Sequence, residues 1–216
     1  MSLPAAVIAR VAQDRLIARA TAPVLPEDGL APDLRSVILL APDEPAFWPH
    51  FTASPEYGDG APAPLDRWSR RIIGKIACDL GAKAVFPFGG PPWRPFPRWA
   101  LRSGQVWTSP VGLLVDAHMG LFVSFRGAIA LREAVAPPAG TNPCNTCAGQ
   151  PCRSACPVGA LTAAGYDVPT CHAHLDQPEG ADCQTRGCAV RRACPVGLTR
   201  RLPAQSAFHM KAFHTP

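Results

Sequence analysis

The sequence predicts an α+β fold: a mixed β-sheet flanked by helices in an α-β-α arrangement, followed by a loop-rich C-terminal module. Three observations carry this expectation. Apolar residues make up 47% of the chain and charged residues 17%, enough hydrophobicity for a sizeable core and too little charge for a disordered chain. Helix-period and strand-like segments alternate over the first two thirds. Finally, 26 prolines and 18 glycines imply long irregular connections and argue against a helical bundle.

Taken in order, Leu3 to Ile17 reads as a helix, with Ser2 as cap, Pro4 in the first turn, and Val7, Val11 and Ile17 on one face. The continuous apolar run Ser36 to Pro42 reads as a buried strand. Residues 43 to 64, rich in Pro, Gly, Asp and aromatics, read as a long loop. Leu65, Trp68, Ile72, Ile76 and Leu80 recur at helical spacing, so Pro64 to Gly81 is a helix stopped by its glycine. Lys83 to Gly89 is the next strand, and Arg98 to Arg102 a short helix ending at Gly104. Val111 to Asp116 and Leu121 to Phe125 read as strands joined by a hairpin turn over 117–120. Val135 to Gly140 marks a linker. Two domains are therefore expected: a sheet domain over 1–138 and a cysteine-rich domain with a C-terminal tail over 139–216.

Eight of the nine cysteines lie between Cys144 and Cys194, and the ninth, Cys78, stands alone in the long helix, where it reads as a small buried residue. Leu3 to Ile8 is too short for a secretory signal, and no run approaches a membrane span. A cytoplasmic location is expected, where thiols stay reduced and clustered cysteines read as metal ligands before disulfides. The formal charge of +5 counts every cysteine as neutral. Eight thiolates on two cluster cores of charge 2+ would bring it to +1, which weakens a nucleic-acid reading. Beyond Thr141, seven cations stand against four acids, a local excess that would favour the reduced state of nearby clusters.

Cys144, Cys147, Cys152 and Cys156, closed by Pro157, resemble the bacterial ferredoxin run, in which three cysteines bind one 4Fe–4S cube and the fourth binds a second. The spacing departs from it, with four residues rather than two between Cys147 and Cys152. A second set follows as Cys171, Cys183, Cys188 and Cys194, again closed by a proline, and Ala155 to Gly159 recurs word for word as Ala193 to Gly197. The resemblance implies two clusters that exchange one ligand: Cys144, Cys147, Cys152 and Cys194 on one, and Cys156, Cys171, Cys183 and Cys188 on the other. Two Cys₄ zinc sites are the competing reading, although zinc knuckles usually pair two cysteines across a spacer. His172 and His174 lie close to Cys171 as substitute ligands, but eight cysteines already satisfy two cubes.

The whole chain resembles the epoxyqueuosine reductase family, in which a nitroreductase-like domain related to cobalamin-processing proteins precedes a double-cluster ferredoxin module. The cysteine order from Cys144 to Pro195 carries most of this resemblance. Gly104 to Trp107, Leu113 to Val115 and Gly120 to Gly127 are similar to the family's glycine–tryptophan run, aliphatic strand and second strand. The resemblance implies the two 4Fe–4S clusters and a corrinoid as a further cofactor. Departures are specific. The family's proton-donating carboxylate has no counterpart, since Val85 to Ala100 contains no Asp or Glu, and Thr108 and Ser109 follow Trp107 where the family has lysine. The family's C-terminal helical repeats are also missing, so neither its reaction nor its transfer-RNA substrate is carried over.

The functional expectation is an iron–sulfur redox protein passing single electrons to a substrate or cofactor in a pocket of the first domain. The alternatives are a non-enzymatic ferredoxin-type carrier and a metal-stabilised nucleic-acid-binding protein. Expected partners are a redox donor or acceptor protein and a small molecule; neither membrane nor nucleic acid is expected. Among secondary candidates, Trp93, Phe96 and Trp99 could wall a pocket or brace the sheet. Asp116 and His118 could form an acid–base pair but read more simply as solvated turn residues. Phe208 to His214 reads as a short docking helix or a disordered tail.

Overall fold

The computed structural model describes residues 3–214, so the expected Ser2 cap lies outside the described residues. Helix α1 spans Ala5–Ala12 and buries Val7 and Val11. It ends five residues earlier than expected because Arg15 takes a left-handed φ of 54°, and Ile17 belongs instead to strand β1, Leu16–Pro23. The sequence reading missed β1, whose apolar positions Leu16, Ala20 and Ala22 are small or sparse. Strand β2, Ser36–Pro42, is buried at every position. It pairs with β1 on one side and with the strand over Gly127–Leu131 on the other, and burial of this central strand on both faces explains its unbroken apolar run.

The expected loop over 43–64 contains two short helices, α2 (Phe47–Thr52) and α3 (Pro55–Gly58). Phe47 and Phe51 are fully buried, and Phe47 meets Trp68 edge-on at 5.2 Å between ring centroids. Trp68 lies on α4, Pro64–Asp79, whose buried face carries Leu65, Ile72, Ile73 and Ile76. Gly81, at φ 61°, supplies the left-handed stop. Cys78 is exposed rather than buried, because it falls off that apolar face, between the buried Ala77 and the exposed Asp79. Strand β3, Lys83–Val85, is shorter than expected, and α5 covers Phe96–Arg102.

Strands β4 (Val106–Thr108) and β5 (Leu114–Asp116) form a separate two-stranded sheet. Leu121 to Phe125 is not a strand. Phe122 closes a turn onto the Met119 carbonyl at 2.9 Å, so the apolar character of Leu121, Phe122 and Val123 reflects burial without strand pairing. The strand lies just beyond, as β6, Gly127–Leu131, buried throughout.

The α+β class is as expected, with a four-stranded sheet in the order β1-β2-β6-β3. Its ladders are antiparallel rather than mixed. Strands β2 and β3, joined through α4, run parallel to each other, but β6 occupies the slot between them in the opposite sense. Helices α1 and α5 pack on β1, and α4 packs on β3 and β6.

The chain divides into two units, Met1–Val106 with Ser124–Thr141, and Trp107–Val123 with Asn142–Pro216. The segment 107–123 thus belongs with the cysteine-bearing residues and not with the sheet that precedes it. In this second unit Val111, Val115 and Leu121 share a core with Cys152, Leu161, Val190 and Cys194. The unit also holds the minimal hairpin β7 (Leu161–Thr162) and β8 (Gly165–Tyr166), then α6 (Val168–Leu175), α7 (Ala181–Arg186), α8 (Ala189–Arg192) and α9 (Pro203–His214). Among the described residues, no helix is long and apolar enough to cross a membrane.

Two stability measurements check the first unit. Trp68→Ala removes the hub of the aromatic cluster and costs about 3–5 kcal/mol in denaturant unfolding. The Glu56 carboxylate, hydrogen-bonded to the Arg71 guanidinium, is held at about 2 against an ordinary 4.5. Its folded pKa lies below the unfolded one, so its contribution is complete above pH 4.5 and is lost as the pH falls towards 2. Glu56→Gln should flatten the stability profile across that window.

Candidate functional site

Short turns with proline at their start set the first group of cysteines. Pro143–Asn145 and Pro151–Arg153 each form one turn of 3₁₀ helix, carrying Cys144 and Cys152. The Asn142 side chain caps the first by accepting from the Cys144 N–H at 2.9 Å. Between them Gly149 and Gln150 take left-handed conformations that reverse the chain. The fourth member arrives from far along the sequence: Cys144, Cys147, Cys152 and Cys194 line one cavity of about 20 Å³.

Gly120 makes room for this arrangement. It sits at φ 54°, and a Cβ there would fall 2.7 Å from the Cys194 Sγ and run into the Val196 carbonyl. Reciprocally, a Cβ on Gly197, at φ 74°, would meet the Met119 and His118 backbone at 2.8–2.9 Å. Asp116, fully buried, holds the intervening turn by accepting from the N–H groups of His118, at 3.0 Å, and Met119, at 2.5 Å. It is a structural cap, not the solvated turn residue expected; His118 is exposed.

Cys156, Cys171, Cys183 and Cys188 line a second cavity of about 230 Å³. Cys171 comes from α6 and Cys183 from α7, while Cys188 stands at the start of α8. The Tyr166 hydroxyl donates to the Cys171 Sγ at 3.3 Å. Helix α9 forms one wall through Ser206, His209, Met210 and Phe213. Gly187 lets it approach, since a Cβ there would lie 2.8 Å from that of Ser206. At its far end Phe213 stacks on Tyr166, and the His214 Nε2 lies 2.8 Å from the Asp176 Oδ1. The C-terminal residues expected as a docking helix or a disordered tail form this helix.

The thiols interact electrostatically within these two sets. Burial first, then Cys152, Cys194 and Cys147, push the Cys144 thiol up. Burial likewise raises Cys171, with Cys188, Cys156 and Cys183 adding to it and the Tyr166 hydrogen bond opposing. Four thiolates cannot share such a cavity without cationic charge among them, so the donor sets suit a metal-containing group. Buried polar atoms without a hydrogen-bond partner among the described residues include the Ser109 Oγ at the first cavity and the His174 Nε2 at the second. Both are available to a group not made of protein. All nine cysteines are free of disulfides. Among the described residues, no three His, Cys, Asp or Glu side chains form a group able to hold a single metal ion.

In the first unit, Phe96 and Trp99 are buried in the core and act as braces, whereas Trp93 is 65% exposed. Trp93 lines a cleft of about 450 Å³ with Lys83, Phe86, Phe88, Arg94 and Arg132. Sequence reasoning missed Ser109, Tyr166 and the inward-facing Arg191 as site residues. None of them carries a motif: Ser109 figured only where the family's lysine is missing, Arg191 only as one of seven local cations, and Tyr166 not at all.

Neither a family model nor a curated protein matches the chain. Two solved structures are similar to it. Epoxyqueuosine reductase from Bacillus subtilis is 16% identical with a TM-score of 0.47, covering 79% of this chain and 50% of that one. A selenomethionine-labelled epoxyqueuosine reductase is 16% identical with a TM-score of 0.44, covering 82% and 53%. This chain spans about half the length of each.

The glycine contacts are directly testable. Gly120→Ala combines a left-handed backbone with a collision against Cys194 and Val196, and should destabilise the second unit by at least about 1–3 kcal/mol in thermal unfolding.

Proposed function

We propose that the chain is an iron–sulfur redox protein. Cys144, Cys147, Cys152 and Cys194 hold one 4Fe–4S cluster, and Cys156, Cys171, Cys183 and Cys188 hold the other. The observation that carries this reading is the sorting of eight thiols into two cavities, each completed by a cysteine from the opposite half of the duplicated motif. When bound, such clusters supply reversible one-electron storage that side chains alone do not offer. The protein's own part is to hold the thiols, keep water from the sulfurs and offer hydrogen bonds to them. Pro157 and Pro195 direct the chain away after each crossing ligand. The Ala189 N–H donates to the Cys183 sulfur, as the Tyr166 hydroxyl does to that of Cys171.

In its reductase form, this reading places the electron acceptor in the first unit, whose cleft of about 450 Å³ is large enough for a small molecule. The whole chain's resemblance to the epoxyqueuosine reductase family adds a corrinoid as a candidate cofactor. A non-enzymatic carrier remains the second reading, favoured by the absence of Asp and Glu from Val85 to Ala100, which leaves that segment without a carboxylic proton donor. Adding a corrinoid or a flavin separates the two: a saturable shift in its absorption spectrum supports the reductase, and reducible clusters without ligand binding support the carrier.

Anaerobic purification or reconstitution should give a brown protein with about eight iron atoms per chain. Zinc in their place would overturn the reading. The crossing makes a sharper prediction: Cys194→Ala should disrupt the centre of Cys144, Cys147 and Cys152 and leave that of Cys183 and Cys188 intact. Cys156→Ala should do the reverse. Iron content and electron paramagnetic resonance of the reduced variants read out both.

A further inference from the structure

The two cysteine cavities differ in the charge that faces them. Among the described residues, no charged side chain lines the first. Apart from its sulfurs it presents prolines, aliphatic groups, the Gln150 amide and the Ser109 hydroxyl. Arg153 follows Cys152 but is exposed, its guanidinium held by Gln150 at 2.6 Å, and water and salt screen it.

Among the described residues, two guanidinium groups line the second cavity, Arg191 and Arg201, and no Asp or Glu does. Arg191 is fixed by donating to the Leu121 carbonyl, and Arg201 by donating to that of Phe122 at 3.0 Å while lying over the Phe122 ring at 5.3 Å. Among the described residues, no carboxylate lies within hydrogen-bonding distance of the Arg191 guanidinium. Arg192, by contrast, does not line the cavity and is paired with Asp182, which it shares with Arg186. The second cavity also has the Tyr166 hydroxyl on the Cys171 sulfur. Reduction adds one negative charge to a cluster, so nearby fixed cations and hydrogen bonds to its sulfurs favour the reduced form.

Resting on the cluster reading above, we propose that Arg191 and Tyr166 tune the centre of Cys156, Cys171, Cys183 and Cys188 to be the more easily reduced of the two. In each couple one electron from a low-potential donor takes one core from the 2+ to the 1+ state, and no bond or proton changes. At equilibrium the first electron to enter the protein resides on this second centre. Arg191 and Tyr166 are positioning residues for that charge and are not cluster ligands.

Potentiometric titration of the anaerobic full-length protein, followed by electron paramagnetic resonance, tests this. The unmodified protein should show two separated one-electron reductions. Arg191→Met should move the higher one down by at least tenfold in equilibrium constant, equivalent to 59 mV for a one-electron couple, and leave the lower one in place. Arg191→Lys should restore most of the shift. Tyr166→Phe should move the same couple, by less and in the same direction, which keeps the test available where Arg191→Met does not fold. Coincident reductions, or a shift confined to the lower couple, or none in either variant, would overturn the assignment. Iron near eight atoms per chain with unmoved couples defeats this proposal alone; a chain that takes up no iron defeats the cluster reading with it.

Discussion

Mutual repulsion among closely spaced thiols governs the second unit. Each group of four is partly buried, and ionising one member is opposed both by desolvation and by its neighbours. As bare protein the arrangement gives little cohesion, since thiols bond weakly to one another and the walls around them are loops and short helices. Centring cationic charge on each group reverses the sign of every one of those interactions and ties distant stretches of chain together. A module with so little regular structure would gain order from any cationic group its sulfurs shared.

The first unit works by ordinary means. Its sheet is buried between helices, and β2, Trp68 and the aromatic residues of α2 form a conventional hydrophobic core. Where one side chain carried a strong periodic or continuous signal, the sequence was readable: β2 was located to the residue, and α4 to within two positions of its end. Where tertiary pairing decided the outcome, it was not. Strand β1 is built on alanines that become strand residues only because β2 supplies a partner, and β6 lay hidden just past an apolar stretch that turned out to be a buried turn.

The candidate site shows the same division. The candidate ligands were legible because cysteine is rare, its chemistry narrow, and its order along the chain duplicated. One cavity is lined by Cys144, Cys147, Cys152 and Cys194, and the other by Cys156, Cys171, Cys183 and Cys188. Residues that surround those groups were not legible. Arg191, Tyr166 and Ser109 belong to common types, and what distinguishes them is the direction their side chains take once Leu121, Cys171 and the 107–123 segment are in place. Cys78 errs in the opposite sense, a rare residue whose helical position turned out to face outward.

The discontinuity of the second unit bears on how such a protein can be inherited. Gly120, Gly197 and the carbonyls that hold Arg191 and Arg201 interlock a stretch near residue 120 with chain some 75 positions later. A cysteine-rich cassette transplanted by recombination at the linker before Cys144 would leave behind the strip that seats its last cysteine. The two parts therefore have to travel, and to diverge, together.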